Sequence, residues 1–165
     1  MTDITWGEYA TQALSQLSRG AFLNTAWNGQ LNTMTISWGQ LGVTWGKPIF
    51  TVLVRPTRHT YTMLEPSGEF TVSIPAANDL DSELALCGST SGRDGDKFAA
   101  AGLHARPGRV VAAPSIEECE LHYECRVVYR HTLQPDALPA DVLTMYPARD
   151  FHTVYLGEIV AAYRT

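Results

Sequence analysis

Residues 54–61 read VRPTRHTY, with two arginines, a histidine and two threonines in eight positions of a chain whose formal net charge is −5. These residue types suit the holding of an anion. Arg55 and Arg58 carry forked donors that match phosphate oxygens, and Thr57 and Thr60 add hydroxyls. Pro56 restricts Arg55 to extended backbone and presets its own φ. Thr57 then suits the N-cap of a short helix over 57–65, which Glu65-Pro66-Ser67-Gly68 ends. The free N–H groups and dipole of such a helix start favour negative charge. On this stretch alone two readings stand: a phosphate pocket, or a solvated loop whose arginines pair with nearby acids. A second stretch, CGSTSGRDGDKF at 87–98, adds small residues that let backbone approach a ligand. It offers hydroxyls at Ser89, Thr90 and Ser91 and cations at Arg93 and Lys97. Its plainer reading is a turn in which Asp94 and Asp96 neutralise those two cations.

Other chemistries fare worse. Cys119, His122 and Cys125 stand three apart, and Cys87 would make a fourth metal ligand. Strand alternation separates them: Cys119, Leu121, Tyr123, Cys125 and Val127 share one apolar face, while Glu118, Glu120, His122, Glu124 and Arg126 share a charged one. The cysteines therefore read as core, with structural zinc the only metal alternative. No Gly-x-Ser-x-Gly elbow, Walker loop or GxGxxG after a strand is present. The acidic pI near 5.4 lacks the basic surface of a nucleic-acid binder. The polar start MTDITWGEYA and the lack of a long apolar run argue against a leader or membrane span. An odd count of three cysteines fits reduced thiols in the cytoplasm.

The elements that must position these residues are mostly strands. Thr5 and Glu8 match a capping box and Gly20 a stop, which predicts a helix over 6–18. AFLNTAW and QLNTMTISW flank Asn28-Gly29, a hairpin signal. Strands are expected at 48–55, 70–74, 116–130 and 152–163, and short helices at 57–65, 80–87 and 95–101. Met34, Ile36 and Trp38 share one parity, an apolar wall. Thr33, Thr35 and Ser37 share the other, a row of hydroxyls. A mainly β single domain over 1–165, a barrel or sandwich with a few short helices, follows.

Four segments in order resemble the flavin reductase-like family of FMN-binding split-barrel proteins, and within it the flavoredoxin-like branch. They are NTMTISWG (32–39), VRPTRHTY (54–61), CGSTSGRDGDKF (87–98) and DFHTVYLGEIV (150–160). The resemblance implies a split β-barrel homodimer with FMN in a groove near the subunit interface. Asn32, Thr33, Met34, Thr35, Ile36, Ser37 and Trp38 would lie along the isoalloxazine ring. Arg55, Thr57, Arg58 and Thr60 would bind the phosphate, helped by Ser89, Ser91 and Lys97. His152 would sit near the flavin's reactive side in a catalytic or nicotinamide-orienting role. The family's acid and histidine are often adjacent, whereas here Phe151 separates Asp150 from His152. The loop 135–147 would close over the site.

The function that follows is an NAD(P)H-dependent flavin reductase, its acceptor a small molecule or a redox partner protein. The alternative is a flavoredoxin-like FMN electron carrier with no NAD(P)H turnover of its own. A third reading is a split barrel that binds no flavin, or holds haem or pyridoxal phosphate in its groove. Four tryptophans, seven tyrosines and five phenylalanines are many for one small barrel, and some are expected at a dimer interface.

Overall fold

In the computed structural model, which describes residues 1–75 and 79–165, the elements run β1 (Thr2–Asp3), α1 (Ala10–Leu17), β2 (Ala21–Trp27), β3 (Gln30–Ile36), β4 (Gly39–Thr44), β5 (Lys47–Val54), α2 (His59–Ser67) and β6 (Glu69–Ile74). They continue with α3 (Asp81–Ser89), α4 (Lys97–Ala101), β7 (Ala105–Arg106), β8 (Ser115–Ile116), β9 (Leu121–Thr132), α5 (Ala140–Leu143) and β10 (Thr153–Arg164).

Antiparallel ladders join the strands in the order β3-β2-β6-β9-β10-β5-β4, with β1 on β10. The two ends of this path, β3 and β4, are separated in sequence by Ser37 and Trp38 alone. The sheet must therefore curl until its ends approach. No ladder seals that seam among the described residues, which makes this a split barrel. Asn28 and Gly29 take φ of 49° and 76° and close the expected two-residue turn, with Trp27 opposite Gln30. A second turn of the same kind, Trp45-Gly46 with φ of 54° and 71°, joins β4 to β5. Trp-Gly carries no strong turn signal, and β4 and its hairpin escape a reading of the sequence.

Alternation sorts the core. Leu23, Phe50, Val52, Phe70, Val72, Tyr123, Cys125 and Tyr155 fill the barrel. Phe22, the neighbour of Leu23, points outward and packs with Leu84, Cys87, Phe98, Leu103, Ile116 and Cys119 beneath α3 and α4. The β9 ladder begins at Leu121, because Cys119 N–H bonds Ile116 C=O in a turn. Cys119 thus leaves the predicted barrel face for the outer cluster. The opposite face is a larger correction. His122 and Glu124, expected in water, are both 0% exposed. The segment after α4 covers them: the Glu124 carboxylate accepts from the N–H groups of Arg109, Val110 and Val111 at 2.7, 2.7 and 3.1 Å.

The helices expected at 80–87 and 95–101 are α3 and α4, shifted by one or two residues. The first helix begins at Ala10 rather than residue 6. Residues 5–8 form a turn instead, in which Thr5 N–H bonds the Glu8 carboxylate at 3.3 Å, half of the expected capping box. None of the described helices is long and apolar enough to cross a membrane.

The β9–β10 ladder slips between Leu156 and Gly157, where the Phe70 ring occupies the space of a side chain. A Cβ on Gly157 would fall 2.4 Å from Phe70 Cζ and 2.8 Å from Cys125 Cβ. Gly157→Ala is expected to cost about 1–3 kcal/mol by overpacking, read as a lower urea midpoint at unchanged m value.

Candidate functional site

A groove follows β3. At the strand's C-terminal end, Met34, Ile36 and Trp38 face Leu53 at the end of β5 and His152 just before β10, with Arg55 and Arg58 above. Ladder register brings these together: Thr153 pairs with Val54, so His152 and Arg55 leave their strands side by side. Toward the N-terminal end of β3 the groove continues between Asn32, Arg58, His59 and Thr60 on one side and the segment from Cys87 to Arg93, with Lys97, on the other. Met34, Thr35 and Arg58 line both sections.

The second section is electropositive. Arg58, Arg93 and Lys97 converge on it, and none of the ion pairs among the described residues involves them. Asp94 and Asp96 do not neutralise them: Asp96 Oδ1 instead caps α4 by accepting from Phe98 and Ala99 N–H. Lys97 is 6% exposed and donates to the carbonyls of Cys87 and Thr90 at 2.7 and 3.2 Å. Burial, reinforced by Arg58, pulls its pKa below the ordinary lysine value. Burial, with Arg93 and Lys97 adding to it, likewise lowers His59. A buried cation without a counter-charge is costly, and an anion in this section relieves the cost.

An orphaned acceptor lies in the same section. Asn32, 3% exposed, donates from Nδ2 to Thr60 Oγ1 at 2.8 Å, while its Oδ1 has no partner. Gly92 makes room: a Cβ there would lie 2.1 Å from Asn32 Oδ1 and 2.8 Å from His59 Cδ2. Gly92→Ala must push the 90–96 loop away. Loss of about tenfold or more in anion-dependent ligand affinity is expected, since a displacement of order 1 Å already spoils a built site. Calorimetric titration checks it.

The first section differs in chemistry. His152 is 8% exposed, 5.3 Å from the Trp38 ring between centroids, and its Nδ1 meets the Tyr146 hydroxyl at 2.7 Å. Burial, then the charge of Arg55, holds its pKa down at about 4, although Asp150 opposes this. The imidazole is neutral at pH 7.

Most of the expected residues meet in this groove, with four corrections. Arg55 lines the first section and is not free for a phosphate: it pairs with Asp150 at 2.5 Å, donates to Met145 C=O at 3.0 Å and stacks on Tyr146. It thereby ties down the 145–150 segment that orients His152. Thr57 lines the second section but does not cap α2; the cap is Arg58, with no side-chain bond. The hydroxyl row on β3 is broken. Thr33 is buried away from the groove, on the face of its cross-strand partner Asn24, and Thr35 Oγ1 donates to Leu84 C=O at 2.6 Å. Ser89 reaches the groove, yet its hydroxyl bonds back to Ala85 C=O at 2.8 Å. Of the other residues at the groove, Leu53 carried no signal in the sequence; His59 and Gly92 lie inside the two stretches read there, and Tyr146 inside the 135–147 loop.

Cations and the orphaned Asn32 acceptor at one end and an apolar wall at the other suit a molecule with an anionic, polar end and a flat apolar ring. The chain is similar to the flavoredoxin of Methanosarcina acetivorans, with 28% identity and a TM-score of 0.69 over 88% of this chain and 68% of that one. It is similar to the flavoredoxin of Desulfovibrio vulgaris (Miyazaki F) at 25% identity and a TM-score of 0.70, over 88% and 69%. Nitrilotriacetate monooxygenase component B from Bacillus cereus shares the fold, with a TM-score of 0.70 at 18% identity over 100% and 82%. Curated relatives are uncharacterised: a protein of Archaeoglobus fulgidus, 30% identical over 59% of this chain, and YddH of Escherichia coli K12, 30% identical over 79%. The chain spans only 54% and 61% of their respective lengths. The family model for the flavin reductase like domain matches residues 14–165, and the chain belongs to that family.

Proposed function

We propose that the chain binds FMN along β3 and works as an NAD(P)H-dependent flavin reductase-type oxidoreductase. One observation carries this reading: the groove along β3 joins a section that holds three cations, without carboxylate partners among the described residues, and the orphaned Asn32 Oδ1 to a section walled by Met34, Ile36 and Trp38. Arg58, Arg93 and Lys97 hold the phosphate. Asn32 accepts from the ribityl chain. Met34, Ile36, Trp38 and Leu53 wall the ring and exclude water. When bound, the flavin would supply hydride chemistry, taking hydride from NAD(P)H at N5 and passing electrons on. His152 stays neutral beside the ring, and Tyr146 and the Arg55–Asp150 pair fix its orientation. It is a hydrogen-bonding group placed to orient a nicotinamide.

The same reading carries a two-fold dimer. Trp45 and Tyr129, exposed and 6.3 Å apart between ring centroids, support it as an aromatic patch for a second copy to cover. A second reading, an electron carrier without NAD(P)H turnover, is favoured by the two flavoredoxins among the similar structures. Anaerobic protein loaded with FMN and mixed with NADH or NADPH separates the two. Bleaching of the visible flavin band faster than free FMN supports the reductase. Bleaching by dithionite alone assigns the carrier.

A further inference from the structure

Tyr146 is 5% exposed and does not line the groove, yet its hydroxyl reaches His152 Nδ1 at 2.7 Å. That nitrogen is the hydroxyl's one hydrogen-bond partner among the described residues. The Asp150 carboxylate close by is turned to Arg55 instead. Burial raises the Tyr146 pKa above the ordinary tyrosine value, with Arg55 opposing and Asp150 adding, so the hydroxyl keeps its hydrogen at pH 7. A buried O–H needs an acceptor, and Nδ1 is the acceptor in reach. The bond therefore runs from Tyr146 to Nδ1, and the proton of the neutral ring sits on Nε2. Nε2 points away from Tyr146. It has no hydrogen-bond partner among the described residues and is not fully buried, and His152 lines the first section of the groove. The ring has little freedom. Leu133 N–H donates to His152 C=O at 2.9 Å, and Thr153 pairs with both Val54 and Thr132. A half-turn about Cβ–Cγ would put Cδ2 against the hydroxyl and lose the bond.

We infer that Tyr146 is a positioning residue: its hydroxyl fixes His152 as a donor from Nε2, so the first section selects an electron donor that presents a carbonyl-type oxygen to it. This rests on the proposed reductase reading and names what the electron donor must carry. The carboxamide oxygen of a nicotinamide is such an acceptor. A molecule without one leaves the Nε2 proton unmet, at the cost of a lost hydrogen bond. Arg55 belongs to the same device. It stacks on the Tyr146 ring at 4.8 Å and is bonded to Met145 C=O and Asp150, while Phe151 packs against that ring at 5.0 Å between centroids. A loop residue is thereby held in place against a side chain at the start of a strand.

Nitrogen–proton correlation spectra of the isotope-labelled, flavin-free protein test the tautomer, with His152→Gln to assign the signal. One tautomer, protonated at Nε2, is expected. Tyr146→Phe, which keeps the ring contacts with Arg55 and Phe151, should give a mixture of both. In the FMN-loaded protein the same variant should raise KM for NADH or NADPH by about threefold to tenfold, the loss of one hydrogen bond, and leave FMN affinity unchanged. Replacing the carboxamide oxygen of the nucleotide by sulfur, a weak acceptor, should raise KM in the unaltered protein and change it less in the variant. A ring protonated at Nδ1, or a spectrum unmoved by Tyr146→Phe, overturns the positioning role whatever becomes of the flavin reading. An unchanged KM, a matching fall in FMN affinity, or an equal effect of sulfur in both proteins overturns the selection of an acceptor. Absence of turnover with either nucleotide overturns that selection together with the reductase reading.

Discussion

Replacing Arg58 with alanine should weaken FMN binding by about tenfold to over a hundredfold while leaving the fold in place. The loss follows from a charge-assisted bond to a phosphate, worth roughly 1.5–3 kcal/mol. Arg58 caps α2 through its backbone, with no side-chain bond, and takes part in no ion pair among the described residues. Its truncation therefore removes little from the folded state, within about 0.5 kcal/mol for an exposed side chain. Arg55 supplies the control, because its guanidinium is spent on Asp150, Met145 and Tyr146. Comparison of FMN with riboflavin, which lacks the phosphate, separates the two arginines. Arg58→Ala should shrink the preference for FMN over riboflavin, whereas Arg55→Ala should weaken both ligands alike. Equal effects from the two variants would return Arg55 to the phosphate site.

Acid should destabilise the protein well before its carboxylates titrate, and His122 is a main cause. Its surroundings specify one neutral tautomer. The carbonyl of Cys119, 3.0 Å from Nε2, can only accept, so Nε2 carries the proton. Ser73 Oγ already accepts from Ile116 N–H and Asn24 Nδ2, so its own hydrogen goes to His122 Nδ1 at 3.2 Å. A second ring proton has no acceptor. Burial first, and Arg106 in the same direction, hold the pKa down at about 4 against an ordinary 6.5, and His152 is held at about 4 as well. Between these values the unfolded chain binds protons that the folded one refuses. Stability is whole above pH 6.5 and falls as pH drops toward 4, by at most about 3 kcal/mol for each histidine. Urea unfolding at pH 7.5 and 4.5 measures the drop. His122→Gln, which keeps a donor for Cys119 and an acceptor for Ser73, should remove about half of it. An unchanged drop would mean that other groups govern acid unfolding.

What was legible in the sequence follows a physical line. Asn28-Gly29, the strand-like runs that became β5, β6 and β10 and the basic stretch at 54–61 are local signals, and each marks its element. The cations of the second section were visible because each lies in one of two short stretches, Arg58 in 54–61 and Arg93 and Lys97 in 87–98. The state of Arg55 was not, since its partner Asp150 lies 95 residues away and the register of β5 on β10 brings them together. The charged face of β9 misled for a similar reason. His122 and Glu124 read as solvated until the patternless segment after α4 folds over them and meets Glu124 with backbone N–H groups. Thr33 and Thr35 follow the parity rule correctly, but parity does not say which face holds the ligand.

The central claim, that the groove along β3 holds FMN, is tested most directly by titrating the purified protein with FMN and following the visible flavin band and flavin fluorescence. Saturable binding at one FMN per chain, with the band perturbed and the affinity falling in Arg58→Ala, is the predicted result. A spectrum identical to free FMN at every protein concentration would contradict the account and leave VRPTRHTY an ordinary charged loop.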